Sequence, residues 1–250
     1  MPEHLLNYLL HLADNSLIMG HRLSEWTGHG PMLEQDIAIT NIALDHIGQA
    51  RNLYQYAAQL QGNGATEDSL AYLRRDREFK NFILAELPNG DWATTICKLF
   101  FFSSYQYLLY KALTSNADKQ LSAIAEKSLK EVTYHRRWSS EWMIRMGDGT
   151  DESHTRLQVA VDELFSYTGE MFTSSDYEIA CIKANVAINV ATLKEAWNQF
   201  IQEILTEATI ILPENKWMQD GGKIGIHSEH LGFILAEMQH LQRTYPGCQW

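Results

Sequence analysis

The sequence predicts an all-α chain, a bundle of long helices. Three observations carry that prediction. Turn-forming clusters of Gly, Pro, Asn, Asp and Ser recur at 28–31, 61–68, 88–91, 114–118, 147–153, 173–176, 212–215 and 220–228. Between most of them lie stretches of roughly 20 to 30 residues with apolar residues at helical spacing, far longer than ordinary strands. Only five prolines occur, each where a helix would break anyway. Strand signals are weak throughout.

Taken in order, helices are expected over 3–27, 32–61, 67–86, 91–114, 118–147, 152–172, 175–184, 189–211 and 228–244. Start signals support several of them. Thr66 precedes Glu67 and Asp68 in a first turn, and Asp118 can cap the helix it precedes. Ser228 can cap the last helix, where Glu229 suits the positive end of the helix dipole. In that helix Leu231, Ile234, Leu235, Met238 and Leu241 form an apolar face. No internal repeat or long linker interrupts the chain, so a single domain over 1–250 is expected.

Composition narrows the function. At 45% hydrophobic the chain can bury a sizeable core, which excludes a disordered protein. A net charge of −11 argues against nucleic acid or an anionic membrane as a partner. Cys97, Cys181 and Cys248 are far apart and form no C-x-x-C pair, so reduced thiols are expected. The N-terminus lacks a basic leader, and the most apolar run, "LFFFSSYQYLLY" at 99–110, is too short to span a bilayer. A cytoplasmic protein is the expectation.

The helix at 32–61 has apolar residues all round: Ile37, Ile42, Leu44, Ile47, Leu53 and Tyr54. It is therefore expected to be buried on most sides. Yet Asn41, Asp45, Gly48 and Asn52 fall on one narrow stripe, which would have to point at something that satisfies it. In the helix at 118–147, Glu131, Tyr134, His135, Trp138 and Trp142 share a face, and the two tryptophans suggest that it looks inward. The first helix contributes Asp14.

Four-helix bundles that hold two iron or manganese ions take a Glu or Asp from each of two helices and an E-x-x-H pair from each of the others. The helices here are long enough for such a ferritin-like bundle, but the ligands half-fit. Asp14 stands as a lone acid. Asp45-x-x-Gly48 has glycine in place of the imidazole, Ser103 lies where the third helix should supply an acid, and Glu131-x-x-Tyr134 has tyrosine in place of histidine. His135 is the one imidazole within reach. A degenerate site without metal fits best. Its acids, Asp14, Asp45 and Glu131, are then expected to find partners among Tyr134, His135, Asn41 and water. The alternative is a free-standing di-metal oxidase or oxygenase using Asp14, Asp45, Glu131 and His135.

The run "GIHSEHLGFILAEMQHLQR" at 225–243 looks like a metal site at first. Glu237 flanks the apolar face and His240 lies well round from it, so this E-x-x-H points mainly outward. His227, Glu229 and His230 sit at a glycine-hinged helix start, where capping, packing or docking explains them better than a metal.

Two long runs, "LADNSLIMGHRLSEWTGHGPMLEQDIAITNIALDHIGQARNLYQYAAQL" and "GGKIGIHSEHLGFILAEMQHLQRTYPGCQW", closely resemble the PaaC family, the structural subunits of bacterial phenylacetyl-CoA epoxidases. "LPNGDWATTI" and "KEVTYHRRWSSEWMIRMGDGTDES" fit the same family. The resemblance implies a ferritin-like bundle with additional C-terminal helices. It implies a non-catalytic chain with no metal or cofactor of its own and no catalytic residue. Its partners would be a di-iron catalytic subunit, PaaA, a small bridging subunit, PaaB, and a reductase, PaaE, carrying flavin and an iron–sulfur cluster. Together they would epoxidise the ring of phenylacetyl-CoA with oxygen and NADPH, and self-association would come through the complex. Beside that resemblance, Lys223, His227, Glu229 and His230 are candidates for contact with the acyl-CoA or a partner, since a GGK-x-G turn offers backbone N–H groups and a cation.

Overall fold

The computed structural model of the chain describes residues 2–214 and 217–248. Among them it has eleven α-helices and no strand. These are α1 Pro2–Ser24, α2 Leu33–Gln61, α3 Glu67–Tyr72, α4 Ile83–Glu86, α5 Trp92–Leu113, α6 Lys119–Gly147, α7 Asp151–Leu164, α8 Asp176–Lys183, α9 Lys194–Glu207, α10 Glu229–Met238 and α11 His240–Thr244. The all-α class is as expected, and the long helical hairpins suit a ferritin-like bundle. No helix among the described residues is long and apolar enough to cross a membrane. The backbone gathers into two compact units, one made of residues up to Pro88 together with those from Gly221 onward, the other of Asn89–Asp220.

The first unit is built on an antiparallel hairpin of α1 and α2. Asp14 meets Tyr54, while Gly20 lies against Ala43, His46 and Ile47. A β-carbon at Gly20 would come within 3.2 Å of the Ala43 carbonyl oxygen, so glycine there lets the two backbones approach.

The second unit is built on α5 and α6. Asp91 caps α5 by accepting from the Thr94 N–H at 2.9 Å, and Asp118 caps α6 by accepting from the Leu121 N–H at 2.9 Å. Most of α5 is buried, with Phe100, Phe101 and Phe102 at its centre, as an all-round apolar helix requires. Trp197 of α9 is buried against it, and its indole N–H donates to the Phe101 carbonyl at 3.2 Å. α7 turns back over this pair. Its His154 and the nearby Thr209 both hydrogen-bond the Gly147 carbonyl at the end of α6.

Several expected helices are shorter than the spacing predicts. The stretch 152–172 leaves the α-helix at Leu164 and continues in 3₁₀ turns, and 189–211 begins with the 3₁₀ turn Val190–Leu193 and ends at Glu207. The last helix divides at Gln239, whose side-chain amide donates to the Ala71 and Arg74 carbonyls. The largest departure is 67–86, which holds only α3, a 3₁₀ turn at Asp76–Glu78, an extended run over 79–82 and α4. Thr66 starts α3 as expected, in a capping box with Ser69. The extended run exists because its backbone groups bond side chains elsewhere instead of each other.

Candidate functional site

The polar residues of α1 make a docking strip. His11, Asp14 and Asn15 lie three and four residues apart, on one helix face, and all three are buried. His11 Nδ1 donates to the Lys80 carbonyl at 2.7 Å, which fixes its tautomer. Asp14 Oδ2 accepts from the Lys80 N–H at 2.8 Å, and Asn15 Oδ1 accepts from the Phe82 N–H at 2.8 Å. This strip replaces the helical hydrogen bonds that residues 79–82 forgo.

Asp14 is also the anion of a buried ion pair. Arg74 donates to both of its oxygens, and Tyr54 Oη donates to Oδ1 at 2.5 Å. Arg74 lies over the Phe79 ring at 4.2 Å from the centroid and donates to the Glu78 carbonyl at 2.9 Å. Burial works against the Arg74 charge, but Asp14 beside it holds its pKa above the ordinary value. Burial and the neighbouring carboxylate together push the Tyr54 hydroxyl well up, so it stays a donor. The partners expected for Asp14, Tyr134, His135 and Asn41, are thus replaced by Arg74, Tyr54 and a backbone amide.

A second polar knot secures the same segment from the C-terminal side. Glu86 is fully buried. It accepts from the Ser228 N–H at 2.6 Å, from Asn81 Nδ2 at 2.8 Å and from His227 Nδ1 at 2.8 Å. The other ring nitrogen of His227 donates to the Phe79 carbonyl at 2.9 Å. Both nitrogens therefore act as donors, which is the imidazolium form. Burial opposes that charge, but the hydrogen bond and charge of Glu86 and the Phe79 carbonyl outweigh it and raise the His227 pKa. The glycines of this loop allow the approach. A β-carbon at Gly222 would sit 2.2 Å from the Asn81 carbonyl oxygen; at Gly225, whose φ is +80°, it would sit 2.3 Å from that of Arg77.

The remaining candidates of this loop divide. Lys223 is buried over the Phe82 ring, so it is not a surface cation. Glu229 is exposed and His230 half-buried beside Phe233. Ser228 occupies the cap position of α10, but its side chain makes no capping bond; its N–H is used by Glu86 instead. Glu237 and His240 are exposed, as expected.

On α2 the expected burial is corrected. Ile37 is 53% and Leu44 63% exposed, and Leu33 beside them 72%. Asn41 is exposed, and Asp45, Gly48 and Asn52 are half-buried. A β-carbon at Gly48 would meet nothing within 4 Å. The polar stripe thus accompanies an exposed apolar stripe, while His46, Gln49, Ile42 and Leu53 take the buried face.

In the second unit Ser103 is buried and pairs with Ser139 at 3.2 Å; Ser139 in turn donates to the His135 carbonyl at 2.8 Å. His135 is buried and Glu131 half-buried, but Tyr134 is 37% exposed. Trp138 and Trp142 are half-buried and pack edge-on against Trp92, so the face they share is only partly an inward one. Among the described residues no three His, Cys, Asp or Glu side chains are placed to hold a metal ion. The residues that stand where a two-metal bundle needs ligands do not fit such a centre: Asp14 is tied to Arg74, and Gly48, Ser103 and Tyr134 offer no imidazole or carboxylate.

Arg74, Glu86, Asn81 and Tyr54 were not singled out as site residues by the sequence. The available signal was the spacing of His11, Asp14 and Asn15 on an otherwise apolar helix, which marks a buried polar strip without naming what it binds.

A helical-bundle protein whose buried charges are spent on holding its own backbone is the class that these features define. The chain belongs to the phenylacetic acid catabolic protein family, whose model matches residues 1–250. It is 44% identical over 243 residues to the C subunit of the 1,2-phenylacetyl-CoA epoxidase of Escherichia coli K12, a match covering 97% of this chain and 98% of that one.

Proposed function

We propose that this chain is a structural, non-catalytic subunit of a phenylacetyl-CoA epoxidase that serves aerobic phenylacetate degradation in the cytoplasm. The observation that carries the reading is the end-to-end similarity to a protein named as a subunit of that enzyme. In this reading the di-iron centre resides in a PaaA-type catalytic partner, and flavin and iron–sulfur chemistry in a PaaE-type reductase. A PaaB-type subunit completes the assembly.

The polar interior supports a structural role. Asp14, one of the acids that a metal would have needed, already has Arg74, Tyr54 and the Lys80 N–H. The exposed Leu33, Ile37 and Leu44 on α2 suit a surface that another chain covers. The test is co-expression with the catalytic partner, followed by separation and metal analysis of each chain. A stable complex with iron confined to the partner is expected. Failure to form a complex would sink the subunit reading, and stoichiometric iron in this chain would sink the non-catalytic one.

A further inference from the structure

The second unit has an open pocket of about 360 Å³ that the subunit reading does not use. α5, α6 and α9 line it, through Tyr107, Thr133, Arg136, Ile144, Phe200 and Ile204. Its size is at the small end of ordinary ligand sites.

Arg136 is the unusual member. Its guanidinium lies 3.4 Å from the centroid of the Phe200 ring and 4.4 Å from that of Tyr107. Its Nε is buried and has no hydrogen-bond partner. Among the described residues no carboxylate forms an ion pair with it; Glu203 acts on it only at longer range. The neighbouring arginines, Arg137 and Arg145, have Glu141 at 4.0 Å and 3.9 Å. Arg137 and Glu141 also line the pocket and offset each other's charge, and the hydroxyls of Thr133 and Ser140 donate back to the backbone of α6, so the Arg136 guanidinium is left as the lining's unpaired cation.

A half-buried charge without a counter-charge is costly, and a ligand that supplies one recovers that cost. Stacking against these two rings restrains the flat guanidinium, and its fork matches a carboxylate. Ile144 and Ile204 offer apolar surface beside it. We propose that this pocket binds a small organic acid, with its carboxylate on Arg136 and its apolar stem against Ile144 and Ile204. The assignment stands apart from the subunit role.

The test uses the full chain, with hexanoate as probe and hexanamide as its neutral control, followed by ligand-observed NMR. Saturable hexanoate binding is expected, with hexanamide weaker by about tenfold or more, the usual loss for a charged hydrogen bond. Arg136→Gln should weaken hexanoate by a similar factor. Thr133→Trp, at an exposed rim position, should block the pocket while leaving Arg136 in place, which keeps the test decisive if the first variant folds poorly. The proposal is overturned if hexanamide binds equally, if both variants bind hexanoate like the parent, or if the parent shows no saturable binding. A capped peptide with a single glutamate that binds better than hexanoate would place the carboxylate on a protein chain and overturn the free-acid assignment.

Discussion

Replacing Arg74 with methionine should destabilise the first unit severely. The side chain of Asp14 is 0% exposed and that of Arg74 9%, so the pair is effectively out of water. Methionine keeps the apolar stem that packs on Phe79 but removes every donor. Among the described residues Asp14 would retain only Tyr54 Oη and the Lys80 N–H as hydrogen-bond donors, and the Glu78 and Leu70 carbonyls would lose a donor. Breaking one side of a buried pair costs about 3–5 kcal/mol. That is a large share of the roughly 5–15 kcal/mol that holds a domain together. Tyr54→Phe removes two hydrogen bonds, one to Asp14 and one from Arg74, but leaves the two charges paired with each other and should cost less, about 1.5–3 kcal/mol. The double variant Asp14→Leu/Arg74→Met removes both charges and should be more stable than the sum of the single losses implies. Urea unfolding followed by helical circular dichroism gives the energies, and hydrogen exchange assigns the loss to α1, α2 and residues 74–82. An Arg74→Met cost below about 1 kcal/mol, or single and double losses that add within about 0.5 kcal/mol, would refute the reasoning.

Three further outcomes are expected. The raised His227 pKa means that its pairing with Glu86 contributes fully below the ordinary histidine value of about 6.5 and is lost as pH rises through the higher folded-state value. The thermal midpoint should therefore lose a component across that window, and His227→Gln should remove it; an unchanged pH profile in the variant would exclude the imidazolium. Gly147→Ala would place a β-carbon 2.1 Å from the Ala208 carbonyl oxygen, a backbone atom that cannot turn aside. A loss of about 1–3 kcal/mol in thermal unfolding is expected, and a neutral result would contradict the packing of α6 on the end of α9. Gly48→Ala meets open space within a helix and should stabilise the isolated chain by about 0.5–1 kcal/mol, measured the same way. A destabilised variant would show that the α2 face is not free.

The features legible in the sequence were the local ones. Asp118 and Thr66 mark helix starts because a cap needs only its own first turn. The helix expected over 67–86 fails because its hydrogen bonds are taken by His11, Asp14 and Asn15, some 67 residues earlier, a competition that local propensity does not register. On α2 the pattern misled for another reason. With apolar residues all round, periodicity does not say which face is inward, and Leu33, Ile37 and Leu44 turned out to be the outer one. Asp14 could be recognised as a buried acid, but its cation lies 60 residues away on a segment that looked like an ordinary helix. For the histidine-rich stretch the sequence suggested capping, packing or docking, and His227 packs on Glu86, 141 residues before it, and on the Phe79 carbonyl, partners that no local pattern names.

That separation also sets an order of events during synthesis. The first unit needs both the N-terminal helices and the segment from Gly221 onward, with all of the second unit made in between. At about 5–20 residues per second, a ribosome needs about 7 to 28 s to go from Glu86 to His227, 141 residues on. Throughout that interval Glu86 and the Phe79 carbonyl lack the histidine that both of them bind. The N-terminal helices therefore wait for the far end of the chain, and their closing contacts come in order from His227, Ser228 and Gln239.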